Sequence, residues 1–150
     1  MTEFDGLTPQ ALAEACAAAM WNDDSTARRL GMVLDHLAPG EATMSLQVTT
    51  EMTNGHGIAH GGYIFTLADS AFAFACNTYN QVTVAQHCSI TYLVPGRVGD
   101  RLTATAREIS RRGRSGLYDI SVTNQDGVAV AEFRGQSRTL KDKLLPDAEA

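Results

Sequence analysis

The stretch from Asn54 to Asn77 constrains this chain more than any other. Residues 54–62 form a glycine-rich loop carrying Asn54, His56 and His60. Residues 63–76 are almost wholly apolar, rich in Ala and Phe, and free of Gly and Pro. That run is long enough for about three to four helical turns. A helix apolar on nearly every face is one buried all round, so the rest of the chain must be able to wrap it. One carboxylate, Asp69, sits in its middle. An isolated charge there is costly to bury unless it is paired or hydrogen-bonded. Asp69 is therefore either a structural, hydrogen-bonded acid or a group retained for chemistry.

The flanking segments define what does the wrapping. Thr8-Pro9 reads as an N-cap followed by proline at the first helical position, and Leu12, Cys16 and Met20 then recur every fourth residue. This predicts a short amphipathic helix from Pro9 to Trp21, broken by Asn22-Asp23-Asp24-Ser25, within an N-terminal helical segment over residues 1–28. Strands are predicted over residues 30–36 and 41–49, the second alternating Ala42, Met44, Leu46 and Val48 against polar neighbours. Beyond Asn77 the chain is strand-like: residues 82–94 closed by Pro95-Gly96, then 100–110, 115–123 and 128–140. Arg111-Arg112-Gly113-Arg114 reads as a turn and Asn124-Gln125-Asp126-Gly127 as a hairpin. Residues 141–150 read as a polar, fraying tail.

The order predicts an α+β fold, an antiparallel sheet with one helix laid across it. The Ala-rich helix lets the sheet approach closely. One helix cannot cover both faces of such a sheet, so an edge or face is left for another subunit, and an oligomer is expected.

At 150 residues the chain fits a single domain. Its net charge of −5 argues against a general nucleic-acid or membrane-surface role. No apolar run approaches the roughly 20 residues that span a bilayer, and the acidic start, Met1-Thr2-Glu3-Phe4-Asp5, has no signal core. Cys16, Cys76 and Cys88 read as reduced thiols in apolar or strand-like settings, which points to the cytoplasm. His56 and His60 are four apart, but no Glu follows the first and no third ligand is evident, so no metal site is expected.

The signature Asn54-Gly55-His56, His60-Gly61-Gly62, Phe65-Thr66-Leu67-Ala68-Asp69-Ser70-Ala71-Phe72-Ala73 and Ala75-Cys76-Asn77 resembles that of hotdog-fold acyl-CoA thioesterases of the phenylacetate-pathway (PaaI) branch. The similarity extends through Pro95-Gly96-Arg97-Val98-Gly99-Asp100 and Phe133-Arg134-Gly135, roughly residues 20–140. It implies a sheet of five to six strands wrapped around the central helix. It also implies a homodimer with one continuous sheet, usually paired into a tetramer as a dimer of dimers. The implied reaction is hydrolysis of an acyl-CoA, here an aryl-acetyl-CoA such as phenylacetyl-CoA or a ring-hydroxylated form, with no cofactor. By the same resemblance Asp69 is the catalytic carboxylate, the Gly61 N–H polarises the thioester carbonyl, and Asn54 and His60 share the site. Tyr63 stands where some relatives carry Gln, which bears on the acyl group.

Thioester hydrolysis needs donors for an oxyanion and a base or nucleophile. A helix start offers unpaired N–H groups and partial positive charge, and Gly61 and Gly62 leave that backbone open to a substrate. Asp69 lies eight residues beyond Gly61, so about 12 Å along one axis at 1.5 Å per residue. If both act on one thioester, as the resemblance implies, they come from two chains with opposed helices. The residues leave several roles open. Asp69 is a nucleophile or a base, Asn54 holds water or fixes the loop, and His60 orients the loop or donates to the thioester. Thr66 and Ser70, within a turn of Asp69, are positioned to bond it or the water. The basic cluster Arg111, Arg112 and Arg114, with Gly113 and Ser115, is either a solvated turn or a contact to the phosphates of coenzyme A. Two rivals share the fold: a hydratase or dehydratase, and a non-catalytic acyl-CoA-binding subunit.

Overall fold

The computed structural model describes residues 4–147. Among the described residues three α-helices and six strands follow in the order α1 (Pro9–Asp23), α2 (Ser25–Arg29), β1 (Val33–Ala38), β2 (Glu41–Gln47), α3 (Gly61–Cys76), β3 (Thr83–Tyr92), β4 (Arg101–Arg112), β5 (Ser115–Thr123) and β6 (Ala129–Thr139), with a single 3-10 turn, Thr50–Met52, before α3. The strands form one antiparallel sheet in the order β1-β2-β4-β5-β6-β3, curled around α3. This is the predicted hotdog arrangement.

The sheet can close on the helix because its inner face is lined partly by small residues. Ala42, Ala104, Ala106 and Ala131 are buried there between larger side chains such as Met44, Leu102, Ile120 and Phe133. Gly135 marks where the helix presses closest on this face through a ring. A Cβ on it would lie 2.7 Å from the Phe72 ring, so only glycine lets that ring reach the sheet. Phe72 also packs against Tyr118 and Phe133, with ring centroids 5.4 and 6.1 Å away.

Four local expectations are corrected. Asp24 does not simply break α1; its carboxylate caps α2, accepting from the Ala27 N–H at 2.9 Å. Asp before Ser-Thr is a capping signal as much as a breaker. Arg111 and Arg112 belong to β4, so the turn is only Gly113-Arg114, with Gly113 at φ +57°. The tail is docked at least to Leu145. Val82 N–H donates to the Asp142 carbonyl, Leu145 is buried, and its N–H donates to Asn80 Oδ1 at 2.8 Å. Residues 148–150 of the predicted tail lie outside the described residues.

The fourth correction concerns α3 itself. It is not buried on every side of the single chain: Gly62 is exposed and Thr66, Asp69, Ser70 and Ala73 are only half-buried. Those positions recur at helical spacing and form one stripe. Beside it, β3 is an edge strand bonded only to β6. Its ten residues include no Asp, Glu, Lys, Arg or Pro. Proteins usually protect a bare edge with charge or proline.

Candidate active site

The glycine loop is pinned from both sides before the helix begins. Its Ala59 N–H donates to the Gly96 carbonyl at 2.8 Å, and the His60 N–H donates to the Met52 carbonyl at 2.7 Å. Asn54 holds the turn internally: its Oδ1 accepts from the His56 N–H at 2.9 Å and its own N–H donates to the Ile58 carbonyl. Of the two roles left open for Asn54, the loop-fixing one is thus occupied by its oxygen. Its amide nitrogen has no acceptor among the described residues.

His60 is the N-cap of α3. Its Nδ1 accepts from the Gly62 N–H at 2.9 Å, so the neutral ring carries its proton on Nε2. That bond consumes the Gly62 donor. The Tyr63 N–H donates back to the His60 carbonyl. The Gly61 N–H has no acceptor among the described residues, which leaves it as an open donor at the positive end of the helix. A Cβ on Gly61 would lie 2.9 Å from the Tyr92 ring, so glycine is needed there for space as well as for access.

Next to this amide is a cleft of about 490 Å³ lined by Asn54, Ile58, Ile64, Tyr92, Leu93 and Val94 among others. It is mostly apolar, with polar groups at the Asn54 and Gly61 end, the usual make-up of a small-molecule site.

Asp69 lies two turns further along α3 on the half-open stripe. It makes no hydrogen bond or ion pair among the described residues. Partial burial pushes its pKa above the ordinary carboxylate value. Its charge is felt by two thiols. Burial first, and Asp69 second, raises Cys88 on β3. Burial pushes Cys76 up to about 12, with Asp69 adding to the effect. Asp69 therefore sits on the side of the helix toward the open β3 edge, and neither thiol is a ready nucleophile.

Thr66 is not available to Asp69 as a donor, because its hydroxyl bonds the Gly62 carbonyl at 2.8 Å. Ser70 makes no competing hydrogen bond among the described residues and stays on the stripe beside Asp69. The β4–β5 turn is at the other end of the helix. Arg111 lies over the Tyr79 ring at 3.5 Å and 3.6 Å from Glu108, whose Oε1 also accepts from the Tyr79 and Tyr118 hydroxyls. Arg111 is thus engaged within its own chain, whereas Arg112 lines a separate cleft with Gln86, Ser110, Ser115 and Gln136. Arg114 Nε reaches the Thr139 carbonyl at 3.4 Å. Within one chain, none of Arg111, Arg112, Gly113, Arg114 or Ser115 approaches Gly61. Among the described residues no group of three or more His, Cys, Asp or Glu side chains is placed to hold a metal ion, and no helix is long and apolar enough to cross a membrane.

An antiparallel sheet curled around one central helix is the hotdog fold, here of the thioesterase class. The thioesterase superfamily profile matches residues 56–131, from the glycine loop into β6, and the chain belongs to that superfamily. It is 42% identical over 132 residues to the acyl-coenzyme A thioesterase PaaI of Escherichia coli K12, covering 88% of this chain and 94% of that protein. The E. coli PaaI structure from the phenylacetic acid degradation operon superposes with a TM-score of 0.89 at 40% identity, over 91% of this chain and 99% of that one. A Streptococcus mutans UA159 protein solved with bound acetyl CoA superposes with a TM-score of 0.71 at 28% identity, over 74% and 90% of the two chains.

One residue of the site escaped the sequence. Tyr92 donates from its hydroxyl to the Gly61 carbonyl at 2.8 Å. It lies 31 positions downstream on another element, and strand alternation alone assigns it a face but no partner.

Proposed function

We propose that this chain hydrolyses aryl-acetyl-CoA thioesters, phenylacetyl-CoA or its ring-hydroxylated forms, to the free acid and CoA. The observation that carries this is Asp69, a half-buried carboxylate with no partner among the described residues, on the helix whose first amide is likewise unclaimed among them. The likeness to an E. coli acyl-CoA thioesterase and to a protein with bound acetyl CoA supports the substrate class.

The working unit is a homodimer, itself half of a tetramer. The uncharged β3 edge and the half-open α3 stripe lie side by side, and a second copy pairing along β3 would cover both. Two opposed α3 helices then bring Asp69 of one copy to Gly61 of the other, closing the separation of about 12 Å that one helix imposes. The Gly61 N–H, at the helix's positive end, receives the developing oxyanion. Asp69 either attacks the carbonyl carbon, giving an anhydride that water opens, or takes a proton from the attacking water. In both routes the C–S bond breaks and CoA leaves as its thiolate. Ser70, next to Asp69, is placed to orient the carboxylate or the water, and Asn54 presents its amide nitrogen to the cleft. Arg112 and Arg114, reaching across from the partner, suit the phosphates of CoA. No metal or redox cofactor enters this reading, and the three free thiols suit the cytoplasm.

Thiol release from phenylacetyl-CoA tests the proposal. Asp69→Asn should lower kcat by about 100-fold or more, the scale of a lost general base. Near-normal turnover in that variant would remove Asp69 from the chemistry.

A further inference from the structure

Two consecutive glycines at the start of α3 pose a problem for any precise role of their backbone. Neither has a Cβ to restrict it, and the first amides of a helix lack intrahelical partners. Gly61 and Gly62 should fray unless something outside the helix holds them. The structure holds one peptide group, the one joining them, at both ends. Its carbonyl, on Gly61, accepts from the Tyr92 hydroxyl at 2.8 Å. Its N–H, on Gly62, donates to His60 Nδ1 at 2.9 Å. The Tyr92 ring also lies against the Gly61 Cα, 2.9 to 3.2 Å from where a Cβ would project.

Hydrogen bonds at opposite ends of one peptide reinforce each other, since a donor on the carbonyl polarises the group and strengthens the N–H. From this we infer that Tyr92 is a positioning residue of the site. Its hydroxyl acts through the Gly61–Gly62 peptide to fix His60 with Nε2–H outward. It also locks the first turn so that the Gly61 amide keeps its aim. This rests on the reading of Gly61 as the oxyanion donor. Tyr92 also has a face on the apolar cleft, but the hydroxyl is turned to the backbone and not to the cavity's occupant.

Tyr92→Phe isolates the idea, because it keeps the ring and removes only the hydroxyl. The kinetics on phenylacetyl-CoA should show kcat lowered about 5- to 10-fold, the scale of one neutral hydrogen bond, with KM within twofold. In nitrogen-15 NMR spectra the Gly62 amide proton should move upfield, and the His60 ring should gain a share of the Nδ1-protonated tautomer. A purely structural contact would leave the His60 tautomer unchanged. Unchanged kcat, or a rise in KM alone, would overturn the proposal, as would unmoved Gly62 and His60 signals. If wild-type protein releases no thiol from any acyl-CoA, the thioesterase reading fails separately, and the NMR comparison alone decides whether the Tyr92 relay exists.

Discussion

Asp69 sits close enough to Cys88 for its charge to raise that thiol's pKa, yet no donor among the described residues reaches the carboxylate. Burial without compensation raises the Asp69 pKa in the folded chain. The consequence for stability has a definite sign. Between the ordinary Asp value and the raised one, the folded state holds a proton that the unfolded state has lost, so stability falls as pH rises through that window. Below it both states are protonated and the cost is absent; above it the cost is complete. Asp69→Asn should therefore raise the melting temperature by a few degrees at pH 7, and the gain should vanish in acid below the ordinary Asp value. A melting temperature for the variant that is lower at neutral pH would show a hidden partner for the carboxylate.

The same shift sets the acid limb of activity. A base or nucleophile must be ionised, so kcat/KM should rise with pH through an apparent pKa above the ordinary carboxylate value. A pH–rate profile that is flat from the ordinary Asp range upward would show that binding of a second copy or of substrate has restored the normal value.

Gly61→Ala should separate helix stability from chemistry. Alanine is a better helix former by about 1 kcal/mol, so propensity alone favours the substitution. Its Cβ, however, would meet the Tyr92 ring at 2.9 Å and project beside the open amide. The expected result is a folded protein with kcat down at least about tenfold, seen as normal circular dichroism with lost thiol release. Retained activity would mean that the Gly61 N–H is not a working donor.

The core makes the opposite case. At Gly135 an added methyl meets the Phe72 ring at 2.7 Å, and that ring is clamped by Tyr118 and Phe133. Gly135→Ala should cost about 1 to 3 kcal/mol, the range for overpacking a close-packed core. Urea denaturation measures it, and Gly135→Ala/Phe72→Leu should recover part of the loss.

These cases mark what the sequence could and could not reveal. The strands follow from a period of two residues and α3 from an apolar run free of Gly and Pro, and Asp69 stands out because it breaks that run. The Gly61 amide follows from its place at a helix start, whereas the His60 cap shows only in the structure. The Tyr92 bond, the Cys88 neighbour and the stacking of Arg111 on Tyr79 join residues far apart in the chain, and no local pattern encodes such pairings. The half-open stripe on α3 was hidden for a different reason. Its Thr66, Ala73 and Ser70 are small enough to be read as interior, and only the sheet's curl shows that its strands leave them uncovered.

The basic turn separates into two groups that mutation should resolve. Arg111 is held over Tyr79 and beside Glu108, so its guanidinium is committed to its own chain. Arg111→Ala should cost at most about 1 kcal/mol of stability, as for a part-exposed cation–π contact, and leave KM within twofold. Arg112 and Arg114 occupy the same hairpin, but Arg112 lines the cleft with Gln86 and Gln136 and Arg114 lies against the Thr139 carbonyl. Their double replacement by Ala should raise KM for phenylacetyl-CoA about 3- to 10-fold with kcat little changed, and the difference should shrink as salt screens the phosphates. The hairpin is at the C-terminal end of α3, a helix length of about 24 Å from Gly61 at 1.5 Å per residue. A KM effect confined to Arg112 and Arg114 would therefore also favour delivery of these groups by a neighbouring copy. An effect confined to Arg111, or equal for all three, would assign the cluster to folding or to general charge instead.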